Sequence, residues 1–149
     1  MAKPVLDAVA FQFFTEIAII SQLAETALER HLPDAMSLAQ FRVLTHFVRL
    51  GGPWGPARLA AAFQVTKAAM TFTLGRLEAQ GFVHIDPDPD DGRAKLVTLS
   101  AAGRAAHTQA LEQISPIQAQ MNKEFSAAEL AAALPLLQRV RTYLDAARG

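Results

Sequence analysis

Cysteine is absent from all 149 residues. That excludes disulfides, thiolate nucleophiles and cysteine-based redox sensing, and nothing in the chain calls for an oxidising compartment. Four methionines leave only a weaker oxidative route. Charge is also scarce: charged residues are 19% of the chain, and 14 Lys and Arg balance 14 Asp and Glu, so the net charge is zero. Such a balance lacks the basic footprint of a typical nucleic-acid binder. The opening "MAKPVLDAVAFQFFTE" has no apolar segment ending in a small-residue cleavage site. Asp7, Glu16 and Glu25 interrupt the most apolar stretch, so no run of 18 apolar residues occurs. A soluble, cytoplasmic chain with no membrane association is therefore expected. His31, His46, His84 and His107 lack metal-ligand spacing, so no metal is expected. No Ser-His-Asp set, phosphate-cradling glycine loop or carboxylate pair stands out, which argues against an enzyme and against a cofactor.

What is present is helical periodicity. Pro4 suits a first helical position, and Val5 to Leu32 then carries two apolar faces. Leu6, Val9, Phe13, Ile17, Ile20, Ala24 and Ala27 form one, and Phe11, Phe14, Ala18 and Ile19 the other. Two faces imply burial on two sides, hence a partner chain. Ser37 and Gln40 have capping-box spacing ahead of a second helix, with Leu38, Phe41, Leu44, Phe47 and Val48 inward. "GGPWGP" at 51–56 ends it, with Trp54 reading as a packing anchor for the turn or as lining for a pocket. A short helix runs through Phe63, Gln64 and Val65 make a tight connection, and Thr66 caps a fourth helix that Gly81 stops. Two β-rich runs, "FVHID" and "KLVTLS", flank "PDPDDGRA", which predicts a hairpin turning at Asp91-Gly92. Ser100 is placed to cap a long helix to about Phe125, with a bend near Pro116. Ser126 and Glu129 open a last helix with Leu130, Leu134, Leu137, Val140 and Leu144 inward, and Pro135 inside it.

The fold class is thus mainly α with a small β-hairpin (α+β). Its middle is a helix-turn-helix followed by a two-stranded wing. Such units set the N-terminal part of their second helix into the DNA major groove. Here that part is "TKAAMT", whose hydroxyls, single cation and small residues permit close approach to bases and phosphates. An ordinary amphipathic helix, with Met70, Leu74 and Leu77 in the core, would show the same pattern. Four aspartates in the loop could suggest calcium, but its prolines and the missing terminal Glu spoil that spacing.

The stretch "LAAAFQVTKAAMTFTLGRLEAQGFVHIDPDPDDGRAKLVTLSAAGR" resembles the multiple-antibiotic-resistance regulator (MarR) family of winged-helix transcription factors. The motifs that carry the resemblance are "VTK" at 65–67, "RLEAQGFV" at 76–83, "DPDDGRAK" at 88–95 and "LSAAGR" at 99–104. "QFRVLTHF" at 40–47 and "SAAELAAALPLLQRV" at 126–140 extend it over nearly the whole chain. It implies one domain of the family's type over residues 1–149, with a winged helix-turn-helix lobe at 37–99 and helical dimerisation regions at 1–36 and 100–149. It also implies a homodimer that binds a pseudo-palindromic double-stranded operator. Such a regulator is commonly a repressor released by a small, often aromatic, ligand. The DNA-binding residues it points to are Thr66, Lys67, Ala68, Thr71, Phe72, Arg76, Arg93 and Lys95. Asp88, Pro89, Asp91 and Gly92 would shape the wing, with Arg93 entering the minor groove. No residue is assigned to an effector site.

This chain departs from the family pattern at three places. Phe72 stands where Arg is common, Gly75 where an acid precedes "RLE", and Ile85 where Arg enters the wing. From Ala57 to Leu99 five cations meet five acids, so the lobe is neutral. Phe72 is expected to pack on the lobe, with contact to a thymine methyl as the other reading. A winged-helix dimer that has lost DNA binding, serving as a ligand-binding or protein-interaction module, is the alternative function.

Overall fold

The computed structural model describes residues 1–148. Six helices and one hairpin follow in the order α1 (Ala8–His31), α2 (Leu38–Leu50), α3 (Pro56–Phe63), α4 (Lys67–Ala79), β1 (Val83–Pro87), β2 (Lys95–Leu99), α5 (Ala101–Glu124) and α6 (Ala127–Ala147). The chain forms two compact units, Met1–Gln113 and a second that begins at Ile114.

Local chemistry sets most of the boundaries. The first helix starts later than expected. Asp7, not Pro4, governs its start: the carboxylate accepts from the Val9 and Ala10 amides, and the preceding residues stay outside the helix. Capping N–H groups by a carboxylate at a helix start outweighs a proline's preset φ. Ser37 and Gln40 form a reciprocal capping box, as do Ser126 and Glu129. Gly81, at φ 76°, sits just past α4 in the left-handed region that ends helices. Ser100 lies between β2 and α5 and serves two partners. Its Oγ accepts from Gly103 N at 2.9 Å and donates to Gly81 O at 2.6 Å. Helix α5 runs through Pro116, and α6 through Pro135, each as one helix.

The core belongs to the first unit. Val43, Leu44 and Phe47 of α2, Leu59 of α3, and Leu74 and Leu77 of α4 meet Val83 and Val97 of the hairpin, all nearly inaccessible. Val48, expected inward, lies on the outside of α2. Gly103 explains the glycine of "LSAAGR": a Cβ there would stand 2.0 Å from the Phe82 carbonyl oxygen. The α5 backbone therefore packs directly on the connection between α4 and β1.

Much of the apolar surface of α1 stays uncovered among the described residues. No residue of α1 is buried, and Val9 and Ile20 are 76% and 59% exposed. In the second unit α6 likewise buries nothing, and Leu130, Leu134, Leu137 and Leu144, expected inward, are exposed. By length and composition α1 is also apolar enough to cross a membrane, with a mean hydropathy of 1.2.

Candidate nucleic-acid interface

The helix-turn-helix turns on two residues. Gln64 takes φ 53°, its N–H still bonded to the end of α3, and Val65 N donates to Ala60 O at 3.0 Å. The chain then enters α4 under Thr66, whose Oγ1 accepts from Ala69 N at 3.1 Å. Met70, Leu74 and Leu77 face the core. Helical geometry then sends Lys67, Ala68, Thr71, Phe72, Gly75 and Arg76 away from it, and each of them is exposed. Phe72 does not pack on the lobe: its ring is 67% exposed, and its recorded partner is the Arg76 guanidinium, 5.8 Å above it.

The far end of α4 is fixed by amides. Gln40, 1% exposed, donates from Nε2 to Gln80 Oε1 at 2.9 Å, and Gln80 Nε2 donates to Ala35 O at 2.9 Å. This joins the start of α2 to the end of the exposed helix. Two glutamines 40 residues apart carry no local pattern that would announce this bond.

The wing is an antiparallel pair, registered from Val83↔Leu99 to Pro87↔Lys95. It does not close on a two-residue Asp91-Gly92 turn. Pairing ends where Asp88 N donates to Ala94 O, and residues 88–94 fold as two successive turns, one closed by Asp91 N on Asp88 O and one by Ala94 N on Asp91 O. The Asp88 carbonyl takes the Asp91 N–H and the Ala94 N–H goes to Asp91 O, so the ladder gives way to the turns. Gly92 and Arg93 occupy the centre of the second turn. Two aspartates brace these turns. Asp88 Oδ1 accepts from Asp90 N at 2.9 Å, and Asp91 Oδ1 accepts from Arg93 N at 3.1 Å. The bracing thus reaches Arg93 through its backbone. Arg93 and Lys95 are both exposed.

Trp54 ties the wing down from the other side. Its N–H donates to Val97 O at 3.1 Å and its carbonyl accepts from Val97 N at 2.8 Å, a bridge on β2. Its indole N–H donates to Gly51 O, and the Arg58 guanidinium lies 3.8 Å from its ring. Behind it His46 makes edge contact with Trp54 at 4.3 Å. His46 is 7% exposed and its Nε2 has no hydrogen-bond partner. Burial, then Arg49 and Arg58, hold it below the ordinary imidazole pKa. His107 on α5 stacks on Phe41 and bonds Thr45 Oγ1 at 3.0 Å, and burial followed by Arg104 lowers its pKa as well.

Residues 36–94, from just before α2 to the wing tip, match the profile of the MarR family. The multiple antibiotic resistance protein MarR of Escherichia coli is 30% identical over 126 residues, covering 83% of this chain and 87% of that protein. The chain belongs to the MarR family. A crystal structure of mutant MarR from E. coli matches it with a TM-score of 0.72 at 27% identity, covering 93% of this chain and 98% of that one. A second, of mutant MarR complexed with operator DNA, matches with a TM-score of 0.71 at 28% identity over 92% and 99% of the two chains. The shared architecture is the MarR winged helix, mostly helical with a two-stranded hairpin. As a MarR-family member the chain is a DNA-binding transcriptional regulator, and no enzymatic family is indicated.

Proposed function

We propose that this MarR-family chain is a cytoplasmic homodimeric repressor that binds a pseudo-palindromic operator and is released by a small apolar ligand. The observation that carries the DNA part is an arrangement within one unit: the outward face of α4 and the wing bearing Arg93 and Lys95 belong to the same lobe, and none of their side chains is needed for the core. In this reading Thr71 and Ala68 approach base edges, and Thr66, Lys67 and Arg76 meet phosphates. Arg93 enters the minor groove, and Lys95 lies along the backbone beside it. Asp88, Pro89, Asp91 and Gly92 shape the tip that presents Arg93. The operator-bound E. coli relative supports the same use of the fold. The lobe spans 37–99, and the helical regions 1–36 and 100–149 serve dimerisation.

The dimer is supported by the uncovered apolar faces of α1 and α6. A second copy suits α1 better than a lipid bilayer does. Glu16 lies mid-helix, where hydrocarbon would penalise it, and Glu25 forms an ion pair with Arg42 of α2. For the ligand, a cleft of about 430 Å³ opens beside α2, lined by Leu28, Leu38, Phe41 and Phe63 with Arg42 and Arg49 among its polar groups. Its size and largely apolar wall suit a small apolar or aromatic molecule. With no thiol to oxidise, such a ligand is the signal.

Selection of bound sites from random DNA, followed by footprinting and light scattering, tests this reading. It expects an inverted repeat with half-sites about 10 base pairs apart, centre to centre, and a particle of twice 16.1 kDa. A dimer that protects no symmetric site would instead favour the binding-module alternative, to which the neutral lobe lends its one argument, and a folded monomer would overturn the dimer and the symmetric operator together.

A further inference from the structure

Phe72 is the one large apolar side chain that α4 leaves exposed, at 67%. Its position forces this. Met70, Leu74 and Leu77 define the inward face, and two residues beyond Met70 a helix has turned by about 200°. No rotamer returns the ring to the core. Arg76, one turn on, stands over the ring at 5.8 Å and leaves its outer edge open. Residue 75 sharpens the point. Glycine inside a helix is unfavourable, yet an added Cβ at Gly75 would meet nothing within 4 Å, and its φ is ordinary. Neither packing nor backbone geometry within the chain requires it. A missing side chain one turn from Phe72 lets a flat surface come close to the ring.

Arg76 sets a positive charge beside this apolar point, and Thr71 adds a hydroxyl next to it, so its surroundings suit a polyanion better than another protein's apolar face. The groups in DNA that an apolar edge can recognise in the major groove are the C5-methyls of thymine. We propose that Phe72 is a specificity-determining residue that reads a thymine C5-methyl in each operator half-site, while Arg76 fixes the ring's orientation. This deepens the operator-binding reading and rests on it. It also gives a role to a residue where the family commonly carries an arginine: readout by an uncharged contact, suited to a lobe with no net charge.

The experiment uses the full-length protein and its selected operator. Each thymine in turn is replaced by deoxyuridine, which lacks only the methyl group, and affinity is measured at two salt concentrations for the wild type and for Phe72→Ala. One thymine per half-site should show a loss of about fourfold on removal of its methyl. The factor should be the same at both salts, because no ion is released by this contact. In Phe72→Ala that position should become indifferent to the methyl. If wild-type affinity is flat across the deoxyuridine scan, or if Phe72→Ala retains the same penalty, the Phe72 assignment is overturned while operator binding stands. If no DNA is selected at all, both fall. A change of oligomeric mass in Phe72→Ala would also overturn the assignment, by making the ring a protein contact.

Discussion

Gln40 and Gln80 bond to each other through their side-chain amides at 2.9 Å, although 40 residues separate them, and Gln40 is almost wholly buried. The pair fastens the C-terminal end of the exposed helix to the start of α2. Gln80→Ala removes the partner of a buried amide donor, which costs about 1–3 kcal/mol. Urea unfolding should show that loss, and DNA affinity at temperatures where the variant is folded should fall because α4 is less well placed. Unchanged stability would mean that water replaces the Gln80 amide without cost.

Two helical glycines should respond to alanine with opposite signs. At Gly103 the new methyl would collide with the Phe82 carbonyl, so the α5 backbone must shift, and a loss of about 1–3 kcal/mol is expected for such overpacking. At Gly75 the methyl meets open space, and the change should stabilise the helix by up to about 1 kcal/mol. Gly75→Ala should nevertheless weaken operator binding, as its methyl occupies the approach beside Phe72. Thermal melts of both variants decide the first point, and affinity of the Gly75 variant the second.

In the wing, Asp88 and Asp91 each accept a backbone N–H, whereas the Asp90 carboxylate accepts none among the described residues. Asp88→Asn and Asp91→Asn weaken charge-assisted bonds within the tip and should lower DNA affinity. Asp90→Asn removes only a charge that repels phosphates, so it should bind slightly tighter at low salt, with the gain vanishing as salt screens the charge. Equal behaviour of all three in a salt series would show that the loop acts only through its summed charge.

Acid should destabilise the fold through two histidines. His46 and His107 are held below the ordinary value of 6.5, chiefly by burial. The folded state favours their neutral rings, so below 6.5 the unfolded chain binds more protons. Their contribution is then complete above that pH and is lost as pH falls toward and through the folded values. The urea midpoint should drop between about pH 7.5 and 5.5, above the range in which most carboxylates titrate. The drop should be smaller in His46→Phe. A midpoint independent of pH over that interval would contradict the burial argument.

The sequence made legible what short-range chemistry decides. Both capping boxes, the Gly81 stop and the Ser100 cap follow from residues within four positions of one another, and the structure has each of them. Local rules mislead where two compete: Pro4 suits a helix start, but the Asp7 carboxylate caps the helix that forms. Asp91-Gly92 is a strong turn pair, but the Asp88 carbonyl bonds Asp91 N, and the ladder ends before the strands reach it. Phe72 is apolar, yet helical phase overrides hydrophobicity in placing it. Counting from Met70 puts it outside. The Trp54–Val97 bridge and the Gln40–Gln80 bond join distant segments and leave no trace in spacing. The apolar faces of α1 and α6 were visible as patterns, but a pattern does not say which chain covers it.

Contact between DNA and the surface formed by α4 and the wing is the central claim, and Arg93 at the wing tip gives the most direct measurement. Operator affinity is followed across a salt series for the wild type and for Arg93→Ala, whose exposed side chain makes no contact that the fold requires. The prediction is weaker binding by about 1–3 kcal/mol, with a log–log salt slope shallower by about one for each protomer engaged. Identical affinity and slope at every salt would mean that the wing does not touch DNA, and the proposed interface would be wrong.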